Sequence, residues 1–343
     1  MNWKDNLQAN PTQTIRVIVC RPFVMNFRKI FYKLVFTAFF GSIVFYTANF
    51  ARVVSGQTTD SSKTLVTHTV STNAVGSGKS KTGFAAVFVK AASENARLRD
   101  SLAWDFGGRT QTGWNIYSAL IAQTIGTDGE PDSPAFAQAL SAWQGKSGIE
   151  PNGVLDAVTL KALTAKWQSQ RLGRSEYPAP DRLLTAPIAD FYDPTRDIAL
   201  LGVEKETYAA YKRMVAAAAK DLGKDLKLTP RGDLAPDEKF FRIVSAFRSR
   251  EYQEQLRRQQ PQSGRGALAK FSAHATGQAL DLYVGGEPVT TKDANRLIQV
   301  QTPEYKWLVK NASKFGFYPY FYEPWHWEYV PKNSSGLKPK TEN

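Results

Sequence analysis

Cysteine occurs once in 343 residues and histidine only three times. The single Cys20 excludes an intramolecular disulfide and leaves the redox compartment unreadable from pairing. It also leaves the C-terminal part of the chain without a thiolate, so any metal there must be held by imidazole and carboxylate. Acidic residues are outnumbered, 31 against 44 basic, for a formal charge of +13. The excess is uneven, because residues 1–54 carry seven basic residues against one acidic while residues 55–190 are nearly balanced. Residues 191–343 hold the remainder, a charge that suits an anionic polymer. No basic stripe interleaved with stacking aromatics accompanies it, so nucleic acid is not an expected partner. Nothing in the sequence points to a protein partner.

What is present begins with size and one apolar run. A chain of this length exceeds a typical single domain, so two folded units with connecting segments are expected. Leu34–Ala51 is an 18-residue stretch without a charge, close to the ~20 residues that span a bilayer as a helix. It follows a basic lead, residues 1–33, that includes Arg16, Arg21, Arg28, Lys29 and Lys33. By the positive-inside rule the N-terminus stays cytoplasmic and everything beyond residue 52 is exported to the cell envelope, in the periplasm or on the outer face of the membrane. Two forms of this signal remain open. It is either an uncleaved transmembrane anchor or, if translation starts at Met25, a cleavable signal peptide.

Residues 55–83 are rich in Ser, Thr and Gly and read as a flexible tether, with His68 inside it and given no role. Residues 113–168 read as three helices: an apolar run Ile116–Ile125, a second helix after Ser133 and Pro134, and a third from Thr159 to Trp167. Within them run Trp143-Gln144, Gly148-Ile149, Asn152-Gly153-Val154, Thr159 and Ala162-Leu163. This pattern resembles the three-helix peptidoglycan-binding domain, with Trp, Ile and Asn152 in place of its usual phenylalanine, leucine and aspartate. The same pattern also suits an ordinary three-helix interaction module. Residues 171–190 read as an interdomain linker. From 191 to 333 short β-branched or aromatic runs, Phe240–Phe247, Leu280–Val284 and Trp325–Val330, alternate with the helical patterns Tyr208–Leu222, Glu251–Gln259 and Tyr305–Phe315. The expected fold class is α+β: a small antiparallel-sheet domain preceded by the three-helix module and the N-terminal membrane segment.

Two histidines sit in short segments that read as halves of one site, Ser272-Ala-His274-Ala-Thr-Gly277-Gln-Ala279-Leu-Asp281 and Glu323-Pro-Trp325-His326-Trp327. A catalytic zinc takes about three nitrogen, sulfur or carboxylate ligands and keeps one position open. His274, Asp281 and His326 can supply them, and Glu323 can supply a base. Seven residues of straight strand would part His274 from Asp281 by ~23 Å, so the chain must fold back between them, and Gly277 permits it. Pro324 starts a bend that lets Glu323 and His326 serve the same point, with the final strand beginning after it. Trp325 and Trp327 read as core or wall. Upstream, Arg248 or its neighbour Arg250 stands where a strand becomes a helix, and an arginine there can hold a carboxylate or a developing oxyanion.

Together the two segments resemble the VanY-type D-alanyl-D-alanine carboxypeptidases, zinc peptidases related to lysostaphin and hedgehog, over roughly residues 195–332. The resemblance implies one Zn2+ per chain, with His274, Asp281 and His326 as its ligands, Glu323 as general base and Arg248 orienting the substrate. It also implies that Ser272 and Gln253 line the substrate pocket, and that peptidoglycan stem peptides are the substrate. Two positions depart from the family pattern. Ala246-Phe247 replaces glycine-tyrosine, and Glu328 replaces a frequent arginine, with neither expected to touch the metal site. An endopeptidase cutting within stems or crossbridges, or a non-catalytic wall-binding protein with a structural zinc, are the alternative readings.

Overall fold

Capping residues set the helices of the first half of the described chain. A computed structural model describes residues 80–173, 176–259 and 272–331. Helix α1 (Ser80–Ser101) leads into a hairpin of β1 (Ala103–Phe106) and β2 (Arg109–Thr112), whose strands pair antiparallel. Helices α2 (Ser118–Ile125), α3 (Pro134–Lys146) and α4 (Ala157–Ser169) follow. The Ser133 hydroxyl accepts from the Phe136 N–H at 3.1 Å, and the Asp156 carboxylate accepts from Thr159 N–H at 2.8 Å, each closing an open first turn. Trp114, Leu120, Ile121, Phe136, Leu140, Leu160, Leu163 and Trp167 bury together as one core. Gln144 is the polar residue inside it. Its amide bonds Thr159, the Val154 carbonyl and the Gly153 N–H, which ties the Asn152–Val154 turn to α3.

Parts of two segments expected as connectors carry secondary structure. The tether expected over 55–83 runs into α1 at Ser80, while its residues up to 79 lie outside those described. The buried face of helix α1 is Ala91, Ala92, Asn95 and Leu98, mostly small or polar side chains with weak apolar periodicity. Asn95 is anchored by bonding the Gly153 carbonyl and the Leu155 N–H. The linker expected over 171–190 contains β3 (Leu183–Thr185), which pairs antiparallel with β4 (Gly202–Glu204). Pro180 opens a short helical turn just before β3, and Ala186 buries just after it. The basic lead 1–33 and the apolar segment 34–51 lie outside the described residues, and among the described ones no helix is long and apolar enough to cross a membrane.

The second core is a mixed α and β layer, as the α+β expectation required. Helix α5 (Lys205–Leu222) presents Thr207, Ala210, Tyr211, Met214, Val215 and Ala218, a helical stripe, inward. Strand β5 (Ile243–Ser245), helix α6 (Arg250–Gln259) and strand β6 (Ala279–Leu282) come next, followed by α7 (Asp293–Gln301), α8 (Pro303–Asn311), β7 (Phe317–Pro319) and β8 (His326–Tyr329). The four strands form one antiparallel sheet in the order β5-β6-β8-β7. Alternation along a strand sends neighbouring side chains to opposite faces. Leu280, Leu282 and Trp327 therefore join the core with α5, while Asp281, His326 and Glu328 share the other face.

The two cores meet around Phe321, with Ile116 and Val309 packed against both. Phe321 lies between β7 and β8 yet is buried in the core of the helical half. Its ring is 4.8 Å from Phe106, 5.5 Å from Tyr117 and 5.7 Å from Trp167, centroid to centroid. The helical half is thus packed against the turn that carries Glu323.

Candidate metal centre

Register places the site. Asp281 on β6 is directly opposite His326 on β8 and next to Ser245 on β5, so the three side chains stand in a row across one face. His274 arrives from outside the sheet, in a helical turn over Ala273–Thr276. Gly277 ends that turn with φ +70°, and its carbonyl accepts from Glu204 N–H at 3.1 Å. A Cβ at this glycine would come 3.0 Å from Leu183 Cδ2 and 3.1 Å from Glu204 N. The fold-back between His274 and Asp281 thus depends on glycine. Gly277→Ala is expected to cost about 1–2 kcal/mol from backbone strain alone. Thermal denaturation checks this, and an unshifted midpoint would contradict it.

His274, Asp281 and His326 are all buried, and one ligand atom from each lies within 4.8 Å of the others. His274 Nε2 is 3.2 Å from Asp281 Oδ2, and His326 Nδ1 is 2.9 Å from Asp281 Oδ1. Zinc bonds near 2 Å in a tetrahedral site set neighbouring ligand atoms roughly 3.3 Å apart. The two His–Asp separations match such an ion. The far ring nitrogens are already engaged, His274 Nδ1 with the Ala246 carbonyl at 2.7 Å and His326 Nε2 with Glu328 Oε1 at 3.1 Å. Each of those bonds, when the ring nitrogen donates, leaves the other nitrogen's lone pair aimed at the shared point.

Charge follows the same geometry. Burial, with the Arg248 guanidinium beside it, pushes His274 down to about 4, so its imidazole is neutral. Burial also opposes charge on His326, but its bonds to Asp281 and Glu328 overcome this and lift it to about 9. Asp281 is likewise opposed by burial, and the two histidines hold it well below the usual carboxylate range. Glu323 sits at the end of a tight turn, its N–H donating to the Tyr320 carbonyl at 3.0 Å while its own carbonyl accepts from His326 N–H at 2.9 Å. Desolvation raises its pKa above 4.5, and the charges of His326, Asp281, Arg248 and Arg171 act on it. A raised carboxyl beside a buried imidazole–carboxylate cluster can serve as a base next to a bound metal.

The family model of VanY, D-alanyl-D-alanine carboxypeptidase, matches residues 232–332. The chain carries a VanY domain. No curated protein matches the chain. All three residues of the buried cluster, and Glu323, fall inside the VanY match.

The other residues expected in the VanY site are placed less uniformly. Arg248 reaches the cluster: Nη2 donates to Asp281 Oδ2 at 3.0 Å and Nε to Ser245 Oγ at 3.0 Å. It is braced against a ligand carboxylate and remains partly exposed. Arg250 instead stacks over Tyr177, 5.4 Å from the ring centroid. The Ser272 hydroxyl accepts from His274 N–H at 3.3 Å, so it caps the turn that presents His274. Gln253 is buried on α6 with neither amide atom bonded among the described residues. Glu328 corrects an expectation. It was read as clear of the metal site, yet its carboxylate is fully buried and bonds His326. Its bond to His326 was hinted by their spacing of two on one strand, but its other partner, Arg171, is 157 positions away.

Proposed function

We propose that the protein is a zinc-dependent D,D-carboxypeptidase that removes the terminal D-alanine from peptidoglycan stem peptides. The observation that carries this reading is the buried His274, Asp281 and His326 set beside Glu323, inside a VanY domain. When bound, zinc supplies Lewis acidity, polarising the scissile carbonyl and lowering the pKa of water toward about 7. Asp281 brings a full negative charge to the pair of imidazoles, which keeps a dication favourable in a buried place. Glu323 takes a proton from the attacking water and delivers it to the leaving amine of D-alanine. Arg248 is positioned to meet the substrate's terminal carboxylate or the oxyanion from its braced place beside Asp281. Gln253 offers hydrogen bonds to the peptide backbone.

The helical half, through its resemblance to peptidoglycan-binding domains, supports attachment to the wall. Export past segment 34–51 belongs to the same reading, since the substrate lies outside the cytoplasm. Incubation of the full-length protein with pentapeptide muropeptides is expected to give tetrapeptides and free D-alanine, to stop with a chelator and to resume with zinc. Internal cleavage products would replace this reading with an endopeptidase, and no cleavage with zinc present would remove it.

The pH dependence has a definite sign. A base works only when deprotonated, and burial lifts Glu323 above 4.5. The acid limb of kcat/KM is therefore expected at a pH above 4.5, with activity lost as pH falls through it. A pH–rate profile checks this, and full activity retained down to pH 4.5 would contradict it.

A further inference from the structure

Glu328 has no place in the mechanism above, yet it is 0% exposed and touches a proposed metal ligand. Both of its oxygens are engaged. Oε1 accepts from Arg171 Nε at 3.1 Å and Nη2 at 2.5 Å and faces His326 Nε2 at 3.1 Å, while Oε2 accepts from Leu172 N–H at 2.8 Å. Arg171 is fixed in turn by Gln168 Oε1 at 3.1 Å and by lying 4.1 Å over the Tyr320 ring. Arg171 and Leu172 follow α4 and lie outside the 232–332 match.

We propose that Glu328 is a positioning residue for zinc, which fixes the ring and tautomer of His326 and is itself clamped by Arg171 and the Leu172 amide from the helical half. The inference rests on the zinc reading and deepens it. With Arg171 and the Leu172 N–H already donating to its oxygens, Glu328 is left as an acceptor for His326 Nε2, which leaves Nδ1 free toward Asp281. Their spacing of two on β8 puts both side chains on the same face, and the antiparallel register brings Asp281 opposite His326. Without Glu328 nothing on that side holds the hydrogen on Nε2, and Asp281 beside Nδ1 can draw it to the nitrogen that would bind the ion. With it, the affinity of the VanY domain for metal depends on a residue some 60 positions before that domain begins.

The test measures zinc affinity, not activity. In full-length protein, zinc binding is followed by competition with a chelator, and the ligand geometry by the absorption spectrum of the cobalt-substituted form. Glu328→Ala is expected to weaken zinc binding about 10–100-fold and to alter the cobalt spectrum. Because that variant strands the Arg171 charge, the pair Glu328→Leu with Arg171→Met is made as well, so that no buried charge stands alone and no acceptor faces His326. It is expected to weaken zinc binding by at least about tenfold with an unchanged far-UV circular dichroism spectrum. A double variant that folds, binds zinc like the parent and keeps the parent cobalt spectrum overturns the role of Glu328 while leaving the zinc site standing. A parent protein that binds no zinc overturns both.

Discussion

Glu323→Gln lowers the rate of D-alanine release by about 10²–10⁴-fold while leaving zinc bound. Glutamine keeps the shape of the side chain and removes its ability to take a proton, and Glu323 is not one of the three clustered ligands. The turn is held by main-chain bonds from Glu323 N–H to Tyr320 and from His326 N–H to Glu323, which the substitution does not touch. Fold and metal site should therefore survive. Two measurements check it on the same sample: D-alanine release from pentapeptide muropeptides, and zinc content after dialysis. A variant that keeps more than a tenth of the parent rate would take the base role away from Glu323. A variant that loses its zinc would make this carboxylate a ligand instead.

Phe321→Ala has the largest expected effect on stability. The side chain is 1% exposed, and its ring is surrounded by Phe106, Tyr117, Trp167 and Trp104 of the helical half. Truncating a fully buried phenylalanine costs about 3–5 kcal/mol. For a folded unit of this size that lowers the melting midpoint by roughly 6–20 °C. The same residue is two positions before Glu323, so the cavity opens beneath the proposed base. Activity should fall at temperatures where the variant is still folded, with kcat reduced more than zinc affinity. Calorimetry and steady-state kinetics at 20–25 °C check the two parts. A midpoint within a degree or two of the parent would show that the helical half does not buttress this turn.

The proposed site was the most legible part of the chain, and the reason is chemical. With one cysteine and three histidines, few combinations could hold a metal, and Gly277 and Pro324 marked where the backbone had to bend. The structure places that bend at Gly277 with φ +70° and starts β8 at His326, just after Pro324. The helices over 118–169 were readable from the Ser133–Pro134 start and regular apolar spacing, though the Asp156 cap starts α4 two residues before Thr159. What escaped was built differently. Strands β3, β4 and β7 are three residues each, too short for alternation to stand out. Helix α1 buries two alanines and an asparagine beside a single leucine, Leu98, which gives little hydrophobic signal. The Glu328–Arg171 pair joins residues 157 apart, and a single sequence gives no means to connect them. The same holds for Phe321, whose apolar character was plain but whose partners belong to the other core.

Zinc-soaked crystals, measured at the zinc absorption edge, address the proposed mechanism at its root. One anomalous peak per chain is expected, about 2.0–2.2 Å from His274 Nε2, His326 Nδ1 and an Asp281 oxygen. A peak elsewhere, or none between these three side chains at saturating zinc, would contradict the metal centre and with it the peptidase reading built on it.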